Sequence, residues 1–394
     1  KWDASEYAAE YDFNAPFFTQ FAKLLKKVPR MALEAYQNEN SPYANYTWFS
    51  KNIYLSPSTI YCENLLYSHG ITHSQDSVDC SYILNSQLCY ETQDCQRCAS
   101  SIYLTDCREC IDSLFLYDCR GCKDCFMSSN LRNKSYVFRN QELSRNEYEQ
   151  KIKEVQFGNR KNFNALVLEY EQLRTSAIHR FASLFKTTMS TGNSLINAKN
   201  AKYCFMGEDL ENVRYASRAI EIKDSADLYG VGNGAELMYE GVNIGYKDSL
   251  IRFSTNTFED IRDATYCDYC RTSQNIFGCV GLRRKQFYIL NKPYSKDEYS
   301  ELVKKIERHM HDMPYRDGQG RAYPFGEFFP PEFSPFAYNE SVAQEYYPAT
   351  AEEAVSSGFY WRLQSAKEYQ ITKRQSDLPD DIDKVPDSIT QETI

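Results

Sequence analysis

Asp94–Leu131, DCQRCASSIYLTDCRECIDSLFLYDCRGCKDCFMSSNL, repeats on a twelve-residue step. Asp94-Cys95-x-x-Cys98 recurs as Asp106-Cys107-x-x-Cys110 and as Asp118-Cys119-x-x-Cys122, with Ser101 and Leu104, then Ser113 and Leu116, in the intervals. Counted from Cys89, every third residue as far as Leu131 is small or apolar. A strand alternates with period two and a helix with period 3.6, so neither accounts for a period of three. A narrow β-solenoid does: short strands meet at corners, each face turns one residue inward, and rungs stack about 4.8 Å apart. Polyproline II also has three residues per turn, but its bundles need glycine at the crowded positions, and this stretch holds only Gly121. The spacing predicts Cys95, Cys107 and Cys119 in one column and Cys98, Cys110 and Cys122 in the next. Each Asp before a CxxC is then a corner residue, its carboxylate bonding nearby backbone amides.

CxxC pairs have a second chemistry. Two such pairs complete a tetrahedral zinc site, and C-x2-C-x8-C-x2-C occurs twice in overlap here. Cys95, Cys98, Cys107, Cys110, Cys119 and Cys122 are therefore the candidate metal ligands, with zinc the only cofactor the sequence suggests. Against it, the same period runs on through Ser and Leu, which are not ligands. Later in the chain Ile261, Ala264, Cys267, Cys270, Ser273, Ile276, Cys279 and Leu282 keep the spacing while exchanging cysteine for Ile, Ala and Ser. Packed thiols are the expectation, and zinc the alternative.

The chain also repeats at longer range. FMSSNLRNKSYVFRNQELSRNEYEQKI, 126–152, returns 151 positions later as FGCVGLRRKQFYILNKPYSKDEYSELVKKI, 277–306. SKNIYL at 50–55 aligns loosely with AKNAKY at 198–203, and DSVD at 76–79 with DSAD at 224–227. An internal repeat outranks other fold signals, and it predicts two tandem β-solenoid units in a mainly β chain with helices. Ser144-x-x-Glu147 and Ser295-x-x-Glu298 are capping boxes and predict a helix closing each unit. The segments expected are an N-terminal helical cap, 1–46, with Asn14 as N-cap; a first unit with the cysteine ladder, 47–152; a connecting helix within 153–192, its apolar stripe running over 164–189; a second unit, 193–311; and a tail, 312–394. The tail is aromatic and Pro-rich, then acidic over 371–394, which predicts an extended segment ending as a linker.

Composition bounds the function. A net charge of −9 argues against a chain-wide phosphate-binding surface. No apolar run reaches the length of a membrane span, and the opening KWDASEYAAEYDF is not a signal peptide. Fourteen cysteines, ten of them between Cys62 and Cys125, are too sparse for a disulfide scaffold of this length, so a reducing cytoplasmic setting is expected. His69-x-x-x-His73 and His309-x-His311 lack an accompanying HExxH signature, Gly230–Gly234 lacks GxGxxG order, and no GxSxG nucleophile motif occurs.

At 277–306, at GEFFPPEFSPFAYNESVAQEYYP (326–348) and at YDFNAPFFTQFAKLLKKVPR (11–30), the chain resembles a family of uncharacterised cysteine-rich proteins from candidate-phyla bacteria. The likeness covers most of the chain. Family members often carry zinc-ribbon-like CxxC segments before and after this region, so the resemblance implies a chain trimmed at both ends, in keeping with Lys1 where an initiator Met would stand. It implies no activity and carries over no catalytic residue.

These readings lead to a non-enzymatic binding or scaffold protein whose rigid solenoid faces dock a protein partner. A polysaccharide-binding or polysaccharide-processing β-helix protein is the alternative, signalled by an open groove with paired Asp/Glu and exposed Tyr. A zinc-stabilised nucleic-acid- or ribosome-associated factor is the third, and it requires Arg283, Arg284 and Lys285 to converge in one patch.

Overall fold

The computed structural model describes residues 3–363 and 370–394. Met31–His179 with Ala366–Ile394 forms one compact unit, and Lys1–Arg30 with Arg180–Ser365 forms another. Each is mainly β, with helices at its margins.

In the cysteine-rich unit the strands pair in parallel and in sequence order. Lys51 lies opposite Glu63, Glu63 opposite Gln75, Gln75 opposite Gln87, Gln87 opposite Ala99, and Leu114 opposite Phe126, each a step of twelve. A second row, Ala35–Thr47–Thr59–Ile71, keeps the same step.

The backbone carries the three-residue period. Asp94, Arg97, Ser100, Tyr103, Asp106 and Glu109 all have left-handed φ, between 49° and 56°, and each precedes an inward residue. One left-handed residue in three makes a corner and turns the next side chain into the core. Among the described non-glycine residues with positive φ, none is Val or Ile and only Thr272 is β-branched. A branched Cβ crowds the backbone in that region, so the corner positions select against it.

The inner wall answers a hydrogen-bonding need. Ser68 Oγ donates to the Leu66 carbonyl at 2.9 Å and accepts from the Cys80 amide, twelve residues on, at 3.0 Å. Ser77 and Ser113 do the same with the amides of Cys89 and Cys125. Cys95 Sγ repeats it with the Gln93 carbonyl at 3.0 Å and the Cys107 amide at 3.3 Å. A small side chain with one donor and one acceptor satisfies groups in two paired strands at once, and either Ser or Cys serves there.

At its far end this unit closes with a hairpin, Val137 opposite Glu142, followed by helix Arg145–Glu154 with Ser144 and Glu147 in a capping box. Helix Arg160–Ser176, N-capped by Asn159, then covers the outer aromatics of the last rungs. Phe163 lies 5.9 Å from both Tyr103 and Phe115, and the Tyr170 hydroxyl reaches the Leu116 carbonyl at 3.0 Å.

In the other unit the step is eleven at first, Leu184 opposite Leu195, and then twelve, Leu195 opposite Gly207. It becomes thirteen, Glu236 opposite Ser249 and Ser249 opposite Arg262, and returns to twelve, Arg262 opposite Gln274. The extra residues sit at corners where two left-handed residues follow one another: Asn233–Gly234, Tyr246–Lys247 and Glu259–Asp260. Closure is again a hairpin, Tyr288 opposite Pro293, and a Ser295-capped helix, Lys296–Asp312.

Helix Phe17–Lys27 belongs to this unit. Phe17 and Phe18 pack on Tyr266 at 5.3 and 5.2 Å, and Phe21 stacks on Phe329 of the tail at 5.2 Å. Tyr266 also fixes the tail through its hydroxyl, which donates to the Glu327 carbonyl and accepts from the Gly326 amide, both at 3.0 Å.

The segment boundaries differ from those expected. Pro16, not Asn14, is the residue before the first helix, and Ala35–Tyr36 already pairs in the ladder, so 1–46 is not one helical cap. The connecting helix ends at Ser176, with Thr175 and Ser176 folding their hydroxyls onto the carbonyls of Glu171 and Gln172. Leu184–Phe185 is instead the first strand of the next sheet. The acidic segment is not a free linker: Asp380 meets Arg160 at 3.0 Å and Lys161 at 2.7 Å, and the Ile382 amide donates to the Gly158 carbonyl at 2.9 Å. The parts of 1–46 and 312–394 that fall on 1–2 and 364–369 lie outside the described residues.

Candidate docking faces

The six thiols proposed as ligands, Cys95, Cys98, Cys107, Cys110, Cys119 and Cys122, lie in the core at 0–1% exposure. Each donates to the carbonyl two residues before it, at 3.0–3.5 Å. All fourteen cysteines are buried and unpaired. Burial pushes the Cys80 thiol up to about 11 and the Cys89 thiol up to about 12, and holds Cys267 and Cys270 well above the ordinary range. Among the described residues no group of three or more His, Cys, Asp and Glu is placed to hold a metal ion.

Two corner aspartates meet guanidiniums, where amide contacts were expected. Arg120 reaches Asp106 at 2.8 Å and Asp118 at 3.3 Å, and Arg132 reaches Asp118 at 2.7 Å. The histidines serve as ring partners: His73 stacks on Tyr61 at 4.9 Å, His69 meets Tyr82 edge-on at 5.0 Å, and His309 accepts or donates a 2.8 Å bond with the Tyr11 hydroxyl.

A groove of about 730 Å³ crosses five rungs of the cysteine-rich unit along the corner column Phe49, Tyr61, His73, Asn85 and Arg97. Phe49 and Tyr61 stack at 4.9 Å with an interplanar angle of 8°, so their faces cover each other and their edges meet solvent. On its other wall Gln75 donates to Gln87 at 3.1 Å. Glu63 is its single acidic residue. In the other unit Arg284 and Lys285 line a groove of about 480 Å³ with Arg262; Arg283 is not part of it. Asp3 neutralises Lys285 at 2.6 Å and Asp260 neutralises Arg262 at 3.1 Å.

A further corner column escaped the sequence reading. In the cysteine-rich unit it runs Leu55, Tyr67, Asp79, Glu91, Tyr103, Phe115; in the other it runs Tyr203, Tyr215, Asp227, Glu240, Phe253, Tyr266. The signal was present as the residue just before each inward position.

Together these features describe a mainly β protein whose polar ladders, ring stacks and grooves lie on regular outer faces. No family model matches the chain, and no curated protein matches it in sequence. It is similar to a solved structure described as a "putative acetyltransferase" from Desulfovibrio desulfuricans G20, with 11% identity over 78% of this chain and 96% of that one, at a TM-score of 0.12. A superposition that poor carries no argument about fold or activity. No helix among the described residues is long and apolar enough to cross a membrane.

Proposed function

We propose that this chain is a non-enzymatic docking protein built from two β-solenoids that arose by duplication, with its buried thiols serving as packing groups in a reducing cytoplasm. Parallel pairing at twelve-residue steps, with a left-handed corner every third residue, supports the solenoid reading. The duplication is supported by the drift of the internal match. Leu55 and Tyr203 stand 148 residues apart, as do Asp79 and Asp227; the separation is 149 at Glu91 and Glu240, 150 at Tyr103 and Phe253, and 151 at Phe115 and Tyr266. Each increment falls after one of the three widened corners.

The observation that carries docking is the groove along Phe49, Tyr61 and His73. Five rungs about 4.8 Å apart give a rigid track roughly 20 Å long, with its polar ladders held before any partner arrives. A pre-ordered surface loses little freedom on binding. Sugar platforms need an open ring face, and these rings cover one another; the groove also lacks a carboxylate pair for hydrolysis. Basic residues neutralised by Asp3 and Asp260 likewise favour protein docking over nucleic acid.

A photo-cross-linking residue placed at position 61 tests the reading in the native cell, with position 392 as control. A discrete protein adduct at 61 and none at 392 is expected. No adduct at 61, or saturable binding of the purified chain to immobilised glucan, would overturn it.

A further inference from the structure

Within each unit one outer column reads apolar pair, acid pair, aromatic pair. The aromatic pair is always covered. Tyr103 and Phe115 lie beneath helix Arg160–Ser176, whose Phe163 and Tyr170 pack on them, and Phe115 is 0% exposed. Phe253 and Tyr266 are covered by the tail, and Tyr266 by helix Phe17–Lys27 as well. The apolar pair in the same column is bare: Leu55 and Tyr67 are 48% and 55% exposed, and Tyr203 and Tyr215 are 60% and 56% exposed. Tyr203 and Tyr215 stack at 5.3 Å and 4°, with their edges exposed. In the cysteine-rich unit Tyr54 and Leu66 widen the stripe, each about two-fifths exposed.

Between bare and covered parts stand the acids, Asp79 with Glu91 and Asp227 with Glu240. Burial and then the Asp79 charge push the Glu91 carboxyl up; burial pushes Glu240 up against an opposing Tyr239 hydrogen bond, with the Asp227 and Glu327 charges adding to it. Among the described residues no ion pair reaches Glu91 or Glu240. Glu240 Oε2 is buried and accepts no hydrogen bond. Asp79, Glu91 and Asp227 are exposed and Glu240 is partly buried; acids following one another in one column attract cations.

We propose that the stripe formed by Leu55, Tyr67, Asp79 and Glu91, and its counterpart Tyr203, Tyr215, Asp227 and Glu240, docks a basic amphipathic helix of a partner protein. This rests on the docking reading above and names its ligand. The occupant follows from two features: the fold already covers the same column with amphipathic helices, and the uncovered part differs by an acid pair that a helix bearing Lys or Arg beside its apolar face would neutralise.

The test is fluorescence anisotropy of the whole chain with a labelled helical peptide of Leu and Lys, apolar at i, i+3, i+4 and i+7, against the same peptide with Glu replacing Lys. Binding of the basic peptide is expected to weaken at least tenfold in D79N/E91Q/D227N/E240Q and in L55S/Y67S/Y203S/Y215S, and to be unchanged in D387N/E392Q. These are surface substitutions, and hydrogen exchange of the wild-type chain gives a second readout: the peptide should protect amides near 55–91 and 203–240. Equal binding by all variants, or by the acidic peptide, overturns the proposal. So does a homodimer that L55S/Y67S/Y203S/Y215S dissolves, since the stripe would then belong to a second copy. If the peptide fails while the position-61 adduct persists, docking stands and this ligand falls; if both fail, both fall.

Discussion

Ser86 Oγ accepts the Cys98 amide at 3.2 Å, across one rung, while donating to the Leu84 carbonyl at 3.1 Å within its own. One hydroxyl thus satisfies two buried backbone groups. Ser86→Ala leaves the Cys98 amide without its acceptor, while the Leu84 carbonyl keeps the Arg97 amide at 2.9 Å, and should destabilise the chain by about 1–3 kcal/mol. Ser86→Cys, which repeats the Cys95 arrangement, should cost less than about 1 kcal/mol. Urea unfolding midpoints separate the two; equal losses would mean that the inner hydrogen bonds contribute little.

Leu88 occupies a corner at φ 53° with its side chain 55% exposed. Leu88→Ile keeps every atom and moves one branch to Cβ, where it meets the backbone. A loss of about 1 kcal/mol or more is expected, against no measurable change for Leu66→Ile, which is exposed at a position between corners. Thermal melting of both variants checks the rule that left Val and Ile out of the corners.

Asp248 is buried beside a widened corner and accepts the amides of Gly245 at 3.1 Å and Ile261 at 2.8 Å. Burial outweighs those bonds and raises its carboxyl to about 8 from an ordinary 3.8. The folded chain therefore holds this proton more tightly than the unfolded chain. Its contribution to stability is greatest below about pH 4 and falls as pH rises to about 8, then levels. Asp248→Asn should flatten that part of the pH profile of melting temperature, while its Nδ2, a donor, can replace only one of the two accepting oxygens. A profile equally steep in the variant would assign the dependence to other groups.

With every thiol buried, iodoacetamide should label none of the cysteines until denaturant unfolds the chain. Chelation of protein purified without chelator should leave its melting temperature unchanged. Near-stoichiometric zinc whose removal lowers that temperature would instead assign Cys95, Cys98, Cys107, Cys110, Cys119 and Cys122 to a metal centre.

The inner wall was legible in the sequence because small and apolar residues at every third position stand out among polar neighbours. The corners were less so: their signature is the absence of Val and Ile, and absence makes no motif. The outer column from Leu55 to Phe115 mixes apolar, acidic and aromatic residues, so no hydrophobic period revealed it. Helix Phe17–Lys27 announced a buried face through Phe17, Phe18 and Phe21. Which half of the chain it would join could not be read, since Phe115 and Phe126 offer much the same rings as Tyr266 and Phe277. The tandem match weakened toward its start because the three widened corners shift the alignment one residue at a time.

That widening also sets what lengths such a chain tolerates. A single added residue is absorbed at a corner by a second left-handed residue, as at Tyr246–Lys247, and leaves the columns above and below aligned. Twelve added residues would insert a complete level and move the acid pair about 4.8 Å farther from the covered rings, whereas five would break the three-residue period and bring outward residues inward. Insertions and deletions are therefore counted in whole levels with an allowance of one, and the distance between two bound groups along such a face changes only by fixed graduations.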